Sequence, residues 1–272
     1  MIFGCLSVIC SGQNNIFLRA DSLTEVGNFD LANLEYERIR FQYPESPEAF
    51  TAGIKKGLNQ KAAGKYKEAT HTFQLLFVDT LSEVKKFEVL YHKAVCSYLA
   101  GNLQETHRSL EHLNYWVKDS LLLIPTLPLQ ALLYAHCEYY PESAEKYEAA
   151  KKYFSRDGGA FRVVSSERDL DLKNPEKARR LSLIFPGAGQ VYAGYFWKGL
   201  SSLLIQTVWA GYAVLSYSQG LYFTGTLSGV SLFLRFWTGG ARLAEKLANQ
   251  KNNSKKQKYL NIFETELMSL KK

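Results

Sequence analysis

Residues 57–76 read GLNQKAAGKYKEATHTFQLL, and they contain two helical patterns separated by Gly64. A glycine accepts the left-handed backbone conformation that a tight turn between two helices requires. After the turn, Tyr66, Ala69 and Phe73 follow one another at spacings of three and four residues, which place them on one face of a helix. The stretch therefore predicts a pair of antiparallel helices that pack through small and bulky side chains.

The same pattern recurs with a period of 37 residues on both sides of this stretch. Four positions that lie 37 residues apart, one in each of four repeats, form what we call a column. The six columns are, in order, Ala20, Gly57, Ala94 and Ala131; Gly27, Gly64, Gly101 and Glu138; Phe29, Tyr66, Leu103 and Tyr140; Ala32, Ala69, Thr106 and Ser143; Tyr36, Phe73, Leu110 and Tyr147; Ile39, Leu76, Leu113 and Ala150. The period predicts about four helix pairs over residues 13–155. The residues expected to define them are Gly27, Ala32, Gly64, Tyr66, Ala69, Ala94 and Gly101.

This order of small residue, glycine, aromatic, alanine and aromatic resembles the tetratricopeptide repeat, whose usual period is about 34 residues. The chain departs from that family in its longer period, and in having the unit-ending proline only as Pro44. The fourth unit departs further, with Glu138 for the glycine and Ser143 for the alanine. The resemblance implies an all-α helical solenoid whose surface binds a peptide or another domain. A plain helical spacer is the alternative.

A change of composition marks the end of the repeats. Residues 156–162 read RDGGAFR, and SSERDLDLKNPEKARR follows at residues 165–180. We interpret residues 156–180 as a charged linker between two domains. Within it, Asn174 followed by Pro175 predicts the start of a helix that leads into the apolar region.

The region after the linker has the composition of a membrane domain, assigned to residues 181–240. No charged residue and no histidine occurs from Gly199 to Leu234, which is enough for two spans of about 18 residues. A break at Ser216–Gly220 divides them, and Gly225 with Gly229 forms a spacing that lets helices pack closely. Aromatic residues flank the spans as in a membrane interface: Tyr192, Tyr195, Phe196, Trp197, Phe236 and Trp237. A buried helical hairpin of a soluble domain is the alternative.

Ahead of the spans, residues 181–199 read LSLIFPGAGQVYAGYFWKG. Pro186 would end an apolar helix, and the glycines beside it allow tight turns, as in a re-entrant or interfacial element. The string is similar to the PGxGQxYxG signature of small two-span membrane domains in bacterial envelope proteins, and the similarity covers about residues 175–240. The matching positions are Pro186, Gly187, Gly189, Gln190, Tyr192 and Gly194.

The distribution of charge favours a membrane surface over nucleic acid. The chain has a formal net charge of +7, but its bases cluster on both flanks of the apolar region, as they do around membrane spans. Arg179 and Arg180 precede the region, and a basic tail at residues 241–272 follows it. We therefore expect a lipid bilayer as a partner and no nucleic acid.

Residues 1–12, MIFGCLSVICSG, resemble the apolar core and cleavage end of a secretory signal, although the usual basic start is missing. An apolar helix start is the alternative. We favour a cleaved signal and expect a multi-pass protein of the cell membrane with its repeat domain in the periplasm, although a two-span hairpin would then return the basic tail to that side, against the usual charge bias. Without a signal, both flanks would be cytoplasmic.

The sequence contains no recognisable catalytic machinery. The five histidines are scattered, and the chain has no CxxC pair, no GxSxG elbow and no Walker loop. We therefore predict no enzymatic activity and no cofactor or metal site. The expected function is that of a membrane-anchored adaptor of the bacterial cell envelope, whose repeats dock a protein partner and whose spans could pair with a second copy. The alternative is a factor that assists membrane or envelope protein assembly through its membrane domain.

Overall fold

A computed structural model describes residues 15–76, 81–154 and 163–270. All regular elements in these three ranges are helical, which confirms the all-α class. The chain divides into two compact units, with the division between residues 160 and 161, near the predicted boundary after residue 155. The predicted signal at residues 1–12 lies outside the described ranges.

The first unit, called the repeat unit below, consists of helices that pack mainly on their neighbours in sequence. They are α1 (15–25), α2 (Phe29–Gln42), α3 (Pro47–Ala62), α4 (Tyr66–Gln74), α5 (Glu83–Leu99), α6 (Leu103–Trp116), α7 (Ser120–Leu123), α8 (Leu127–His136) and α9 (Tyr140–Phe154). The principal contacts join α2 to α3, α3 to α4, α4 to α5, α5 to α6, and α8 to α9. Helices α2, α4, α6 and α9 each begin at a member of the third column, so their starts are 37 residues apart.

The second column, which holds the turn residues, has the same geometry in all four repeats. Gly27, Gly64 and Gly101 have φ angles of 79°, 74° and 75°, and Glu138 has a φ of 64°. At each turn the following residue donates a backbone hydrogen bond to the carbonyl five residues earlier, as Asn28 does to Leu23 at 2.9 Å. A left-handed conformation costs a side-chain-bearing residue roughly 1–2 kcal/mol, so the surrounding helices must impose it on Glu138.

The remaining columns supply the core of the repeat unit. Ala20, Ala32, Ala69 and Ala94 are completely buried. The Phe73 ring fills the space above the Gly57 backbone, since a Cβ on that glycine would lie 2.6 Å from the ring. Small and bulky columns therefore interlock between successive helices.

His92 on α5 is half-buried against this core, with its ring stacked on Phe73 at a centroid distance of 5.8 Å. Its Nδ1 has no hydrogen-bond partner in the described part of the chain. Burial, with a smaller contribution from the charge of Lys61, lowers the pKa of His92 to about 4. The folded protein therefore holds this histidine neutral at a pH where an unfolded chain would protonate it.

We expect the stability of the repeat unit to fall as the pH is lowered through this window. The unfolded state binds a proton near the ordinary pKa of about 6.5. The folded state binds this proton only near pH 4. The contribution of His92 to the free energy of unfolding is therefore fully present above pH 6.5. It is lost as the pH falls to 4, by no more than about 1.4 kcal/mol per pH unit. Denaturant midpoints between pH 4 and 7 measure this slope. His92→Phe should reduce it, whereas His71→Phe, at an exposed position on α4, should leave it unchanged; equal slopes would refute the assignment.

The second unit, called the hairpin unit below, contains α10 (Pro175–Ile184), α11 (Ala188–Tyr192), α12 (Phe196–Ser218), α13 (Tyr222–Thr224), a π-helical segment (Gly225–Val230) and α14 (Ser231–Ser269). A short 3₁₀ turn at Glu167–Leu170 precedes them. Helix α10 packs along α14, and α11 contacts α10, α12 and α14. Asn174 caps α10 by accepting a hydrogen bond from the Lys177 N–H at 2.9 Å, which agrees with the predicted helix start.

Two predicted boundaries do not coincide with the ends of elements. The boundary after residue 180 falls inside α10, and the boundary after residue 240 falls inside α14. The predicted basic tail is the greater part of α14, which buries Ala244, Leu247 and Ala248 in a cluster with Ala178 of α10. Hydrophobic contacts that are distant in sequence thus make the tail part of the unit.

The second of the two predicted spans does not form one continuous apolar helix. Among the described residues, only α12 is both long and apolar enough to cross a membrane, judged by length and composition. The second apolar stretch is divided among α13, the π-helical segment and the first turns of α14. Gly220, with a φ of 75°, forms the turn between the two stretches, close to the predicted break.

Candidate functional site

The PGAGQVYAG segment lies where α10, α11, α12 and α14 meet, and two of its glycines are required by close backbone contacts. A Cβ on Gly189 would lie 1.9 Å from the Ala178 carbonyl oxygen, and one on Gly187 would lie 2.3 Å from the Gly199 carbonyl oxygen. Gly187 also has a φ of 88° at the start of α11. No side chain fits at either position, so the segment brings three helices together through bare backbone.

Gln190 connects this segment to both sides of the unit. Its side chain is completely buried, and its Oε1 accepts a hydrogen bond from the Ser182 hydroxyl at 2.8 Å. The Gln190 Nε2 donates to the Gly240 carbonyl oxygen at 2.9 Å, fifty residues further along the chain. The Ser182 Oγ in turn accepts a hydrogen bond from the Gly189 N–H at 3.0 Å. Each member of this small buried network has a partner, so the glutamine fixes α10 and α14 on either side of α11.

The other positions of the signature have local roles. Pro186 lies in the turn between α10 and α11, where its missing N–H suits the end of a helix. The Tyr192 hydroxyl accepts a hydrogen bond from the Asn174 N–H at 3.2 Å, and Lys177 lies over its ring at 5.4 Å. Gly194 has a φ of 89° with open space around it, so its requirement is conformational only. The signature therefore describes how the hairpin unit is assembled.

The most unusual surface of the hairpin unit belongs to α12. Only 22% of an apolar 18-residue stretch of this helix is buried. Its outward-facing side chains include Leu204, Val208, Val214 and Leu215, which are 58%, 65%, 68% and 62% exposed. A soluble monomer rarely exposes so large a continuous apolar surface.

The opposite face of α12 is covered within the chain. Gly229 approaches the Ala213 backbone so closely that a Cβ would lie 2.8 Å from the Ala213 Cα, and a Cβ on Gly225 would lie 3.2–3.3 Å from side-chain atoms of Ser216 and Tyr217. The Gly225 and Gly229 spacing seen in the sequence is thus occupied by contacts inside the hairpin.

In the repeat unit, a polar network joins α1, α2 and α3. Lys55 forms a hydrogen-bonded ion pair with Asp21 at 2.7 Å, and the Tyr36 hydroxyl donates to the same carboxylate. Asn59 donates to the Thr24 hydroxyl at 2.9 Å. Burial and the bond to Asp21 both raise the pKa of Tyr36. The polar groups of these residues bond to one another, and the network stabilises the packing of α1, α2 and α3.

A groove on the repeat unit offers apolar side chains to a ligand. It has a volume of about 500 Å³ and is lined by residues of α2 and α3, of the segment between them, and by Leu75, Leu76 and Leu81 after α4. Phe41 and Leu75 are 86% and 52% exposed there, beside the charged side chains of Glu37 and Arg40. Sequence reasoning did not identify this groove, because its residues other than Leu76 belong to no repeated column.

The predicted positions thus separate into two groups. The six signature residues lie together in the hairpin unit, whereas the seven repeat residues are spread along the repeat unit as turns and packing points. Ser182 and Asn252 were missed. Asn252 is buried and holds both the N–H and the carbonyl of Lys173, at 2.8 and 2.7 Å. Within the described ranges, no group of three or more His, Cys, Asp or Glu side chains could hold a metal ion.

Comparisons with protein-family models, with curated proteins and with solved structures found no match to this chain. The function is therefore inferred from the geometry of the two units.

Proposed function

We propose that this protein is a membrane-anchored adaptor, in which the hairpin unit is held in a bilayer and the repeat unit binds a protein partner at the cell envelope. The observation that carries the proposal is the exposed apolar surface of α12. Leaving a large aliphatic side chain in water instead of burying it costs about 1.5–3 kcal/mol. A bilayer would remove that cost for a whole row of such side chains.

The dimensions and flanks of the hairpin support this proposal. The 23 residues of α12 extend roughly 35 Å, which matches a hydrocarbon core of about 30 Å. Trp197, 77% exposed, lies at its start, where an aromatic ring suits the membrane interface. The chain returns through α13, the π-helical segment and the first turns of α14.

The membrane anchor is tested by placing a charge near the middle of α12. Val208→Arg should sharply reduce the fraction of full-length protein that stays in membranes after carbonate extraction, since an arginine at the centre of a span costs about 3 kcal/mol or more. Val84→Arg is the matched control, because Val84 is 60% exposed on α5 of the repeat unit, much as Val208 is on α12. Full-length protein that is freely soluble without detergent would refute the anchor.

The adaptor role is supported by the repeat architecture and by the groove beside Phe41. A groove that presents exposed apolar side chains next to charged ones suits a peptide in which apolar and charged residues alternate. A photoreactive residue at position 41 of the full-length protein should give a discrete adduct with one protein in cells, and the same probe at the exposed Tyr153 of α9 should not. Adducts from α12 alone, with none from position 41, would favour assistance in membrane protein assembly.

That alternative function would act through the hairpin unit. Deleting residues 181–240 is a poor test of it, because the deletion removes α11 and α12 and cuts both α10 and α14. Single substitutions on the exposed face of α12 and in the groove separate the two functions while both units stay folded.

A further inference from the structure

The hairpin unit contains a cavity of about 730 Å³ between α12 and α14 that the anchor itself does not require. Its lining is mixed. Its residues include the apolar Ile205, Leu232 and Phe236, the neutral polar Ser202 and Gln206, and the cations Lys198 and Arg235. Among the residues that the structure describes, no acidic side chain lines the cavity.

The two cations lack an acidic partner among the described residues, and Lys198 lies over the Tyr195 ring with its Nζ 4.9 Å from the ring centroid. In the described part of the chain, neither Lys198 nor Arg235 forms an ion pair with a carboxylate. Arg235 follows directly on the uncharged stretch that ends at Leu234, and Lys198 lies in the first turn of α12. Two cations that line one cavity inside a bilayer repel each other and are costly to desolvate, so they favour an anion between them.

A buried amide belongs to a residue that lines the same cavity. Gln206 is 2% exposed, and its Nε2 donates to the Ser202 hydroxyl at 3.1 Å. Its Oε1 has no hydrogen-bond partner among the described residues. An unpaired buried amide oxygen is destabilising, and a hydroxyl donor on a ligand would offset that cost. A hydroxyl both donates and accepts, so it would satisfy this amide in either orientation.

We propose that this cavity binds an anionic glycerophospholipid, with its phosphate between Lys198 and Arg235, a headgroup hydroxyl on Gln206 and an acyl chain along Ile205, Leu232 and Phe236. This inference rests on the proposed membrane anchor. The order of residues along α12 suits such a ligand, since Lys198 lies about two helical turns, roughly 10 Å, before Ile205. Arg235 lies on α14 between Leu232 and Phe236, so the cavity has one cation near the start of α12 and a second cation beside its apolar side chains. Basic pockets between membrane helices are a known way of holding anionic lipids.

The lipid site is tested on the full-length protein in vesicles of phosphatidylglycerol or phosphatidylcholine, followed by native mass spectrometry of the lipids that stay bound. The wild type should retain phosphatidylglycerol preferentially. Lys198→Gln combined with Arg235→Gln should weaken that retention by about 30-fold, the effect of losing two cations near the headgroup. Lys251→Gln combined with Lys258→Gln removes the same charge from exposed positions of α14 and should change nothing. Gln206→Met should reduce the preference for phosphatidylglycerol while both lipids still support integration.

Each outcome decides between the inferences. Equal retention of the two lipids by a protein that integrates normally overturns the lipid site and leaves the anchor intact. Failure to integrate into either vesicle overturns the anchor and the lipid site together. Competition by soluble glycerol phosphate that equals competition by the lipid shows an anion site without lipid recognition, and this also overturns the inference.

Discussion

Replacing Gly189 by alanine is expected to prevent the hairpin unit from assembling. The added Cβ would lie 1.9 Å from the Ala178 carbonyl oxygen and 2.4 Å from the Ser182 hydroxyl. The first neighbour is the backbone of α10, so relief requires a shift of that whole helix. Such a shift also breaks the bond from the Gly189 N–H to Ser182 and, through Ser182, the contact with Gln190. Overpacking costs typically 1–3 kcal/mol, and with the broken network we expect about 4 kcal/mol or more.

Two further glycine substitutions give the scale for this effect. Gly194→Ala meets no atom within 4 Å, but it places a side chain at a φ of 89°, so it should cost roughly 1–2 kcal/mol. Gly211→Ala, inside α12 with open space around it, should be neutral or slightly stabilising. The thermal stability of the detergent-solubilised, full-length variants measures the order. Similar losses for Gly189→Ala and Gly194→Ala would show that close packing is not the reason for the glycine.

The turns and packing columns of the repeat unit could be predicted because their causes are local. A residue at the end of a helix must turn left-handed within a few positions, and a period of 37 residues repeats that requirement at Gly27, Gly64 and Gly101. At Glu138 the residue type changes but the left-handed φ angle is kept. The position in the repeat was therefore more informative than the identity of the residue.

The organisation of the hairpin unit could not be derived in the same way, because its contacts join distant parts of the chain. The bond from Gln190 to Gly240 spans 50 residues, and that from Asn252 to Lys173 spans 79. The periodicity of α14 reflects burial on α10, and composition alone classified most of that helix as a basic tail. The signature indicated where the unit is tightly packed, but the sequence does not show which surfaces meet there.

Removing the side chain of Phe73 and adding one at Gly57, separately and together, should show that the small and bulky side chains of the repeat columns pack against each other. Phe73 is 1% exposed, and the atoms of its ring lie 2.6–2.9 Å from the position of a Cβ on residue 57. Phe73→Ala should cost about 3–5 kcal/mol through lost burial and the cavity left behind. Gly57→Ala should cost about 1–2 kcal/mol, because overpacking against the ring exceeds the gain in helix propensity.

In the double variant the two losses should not add. Once the Phe73 ring is absent, the methyl group that Gly57→Ala introduces occupies part of the cavity, so the second substitution should be neutral or stabilising. The double variant should then be at least about 1 kcal/mol more stable than additivity predicts, by denaturant unfolding of the repeat unit in the full-length protein. The control cycle pairs Gly57→Ala with Leu113→Ala, because Leu113 is fully buried in a separate cluster with Leu90 and Val117 and should give an additive result. Since the 37-residue columns predict a helix pair only if their small and bulky members face each other, additivity in both cycles would contradict the packing on which the repeat unit depends.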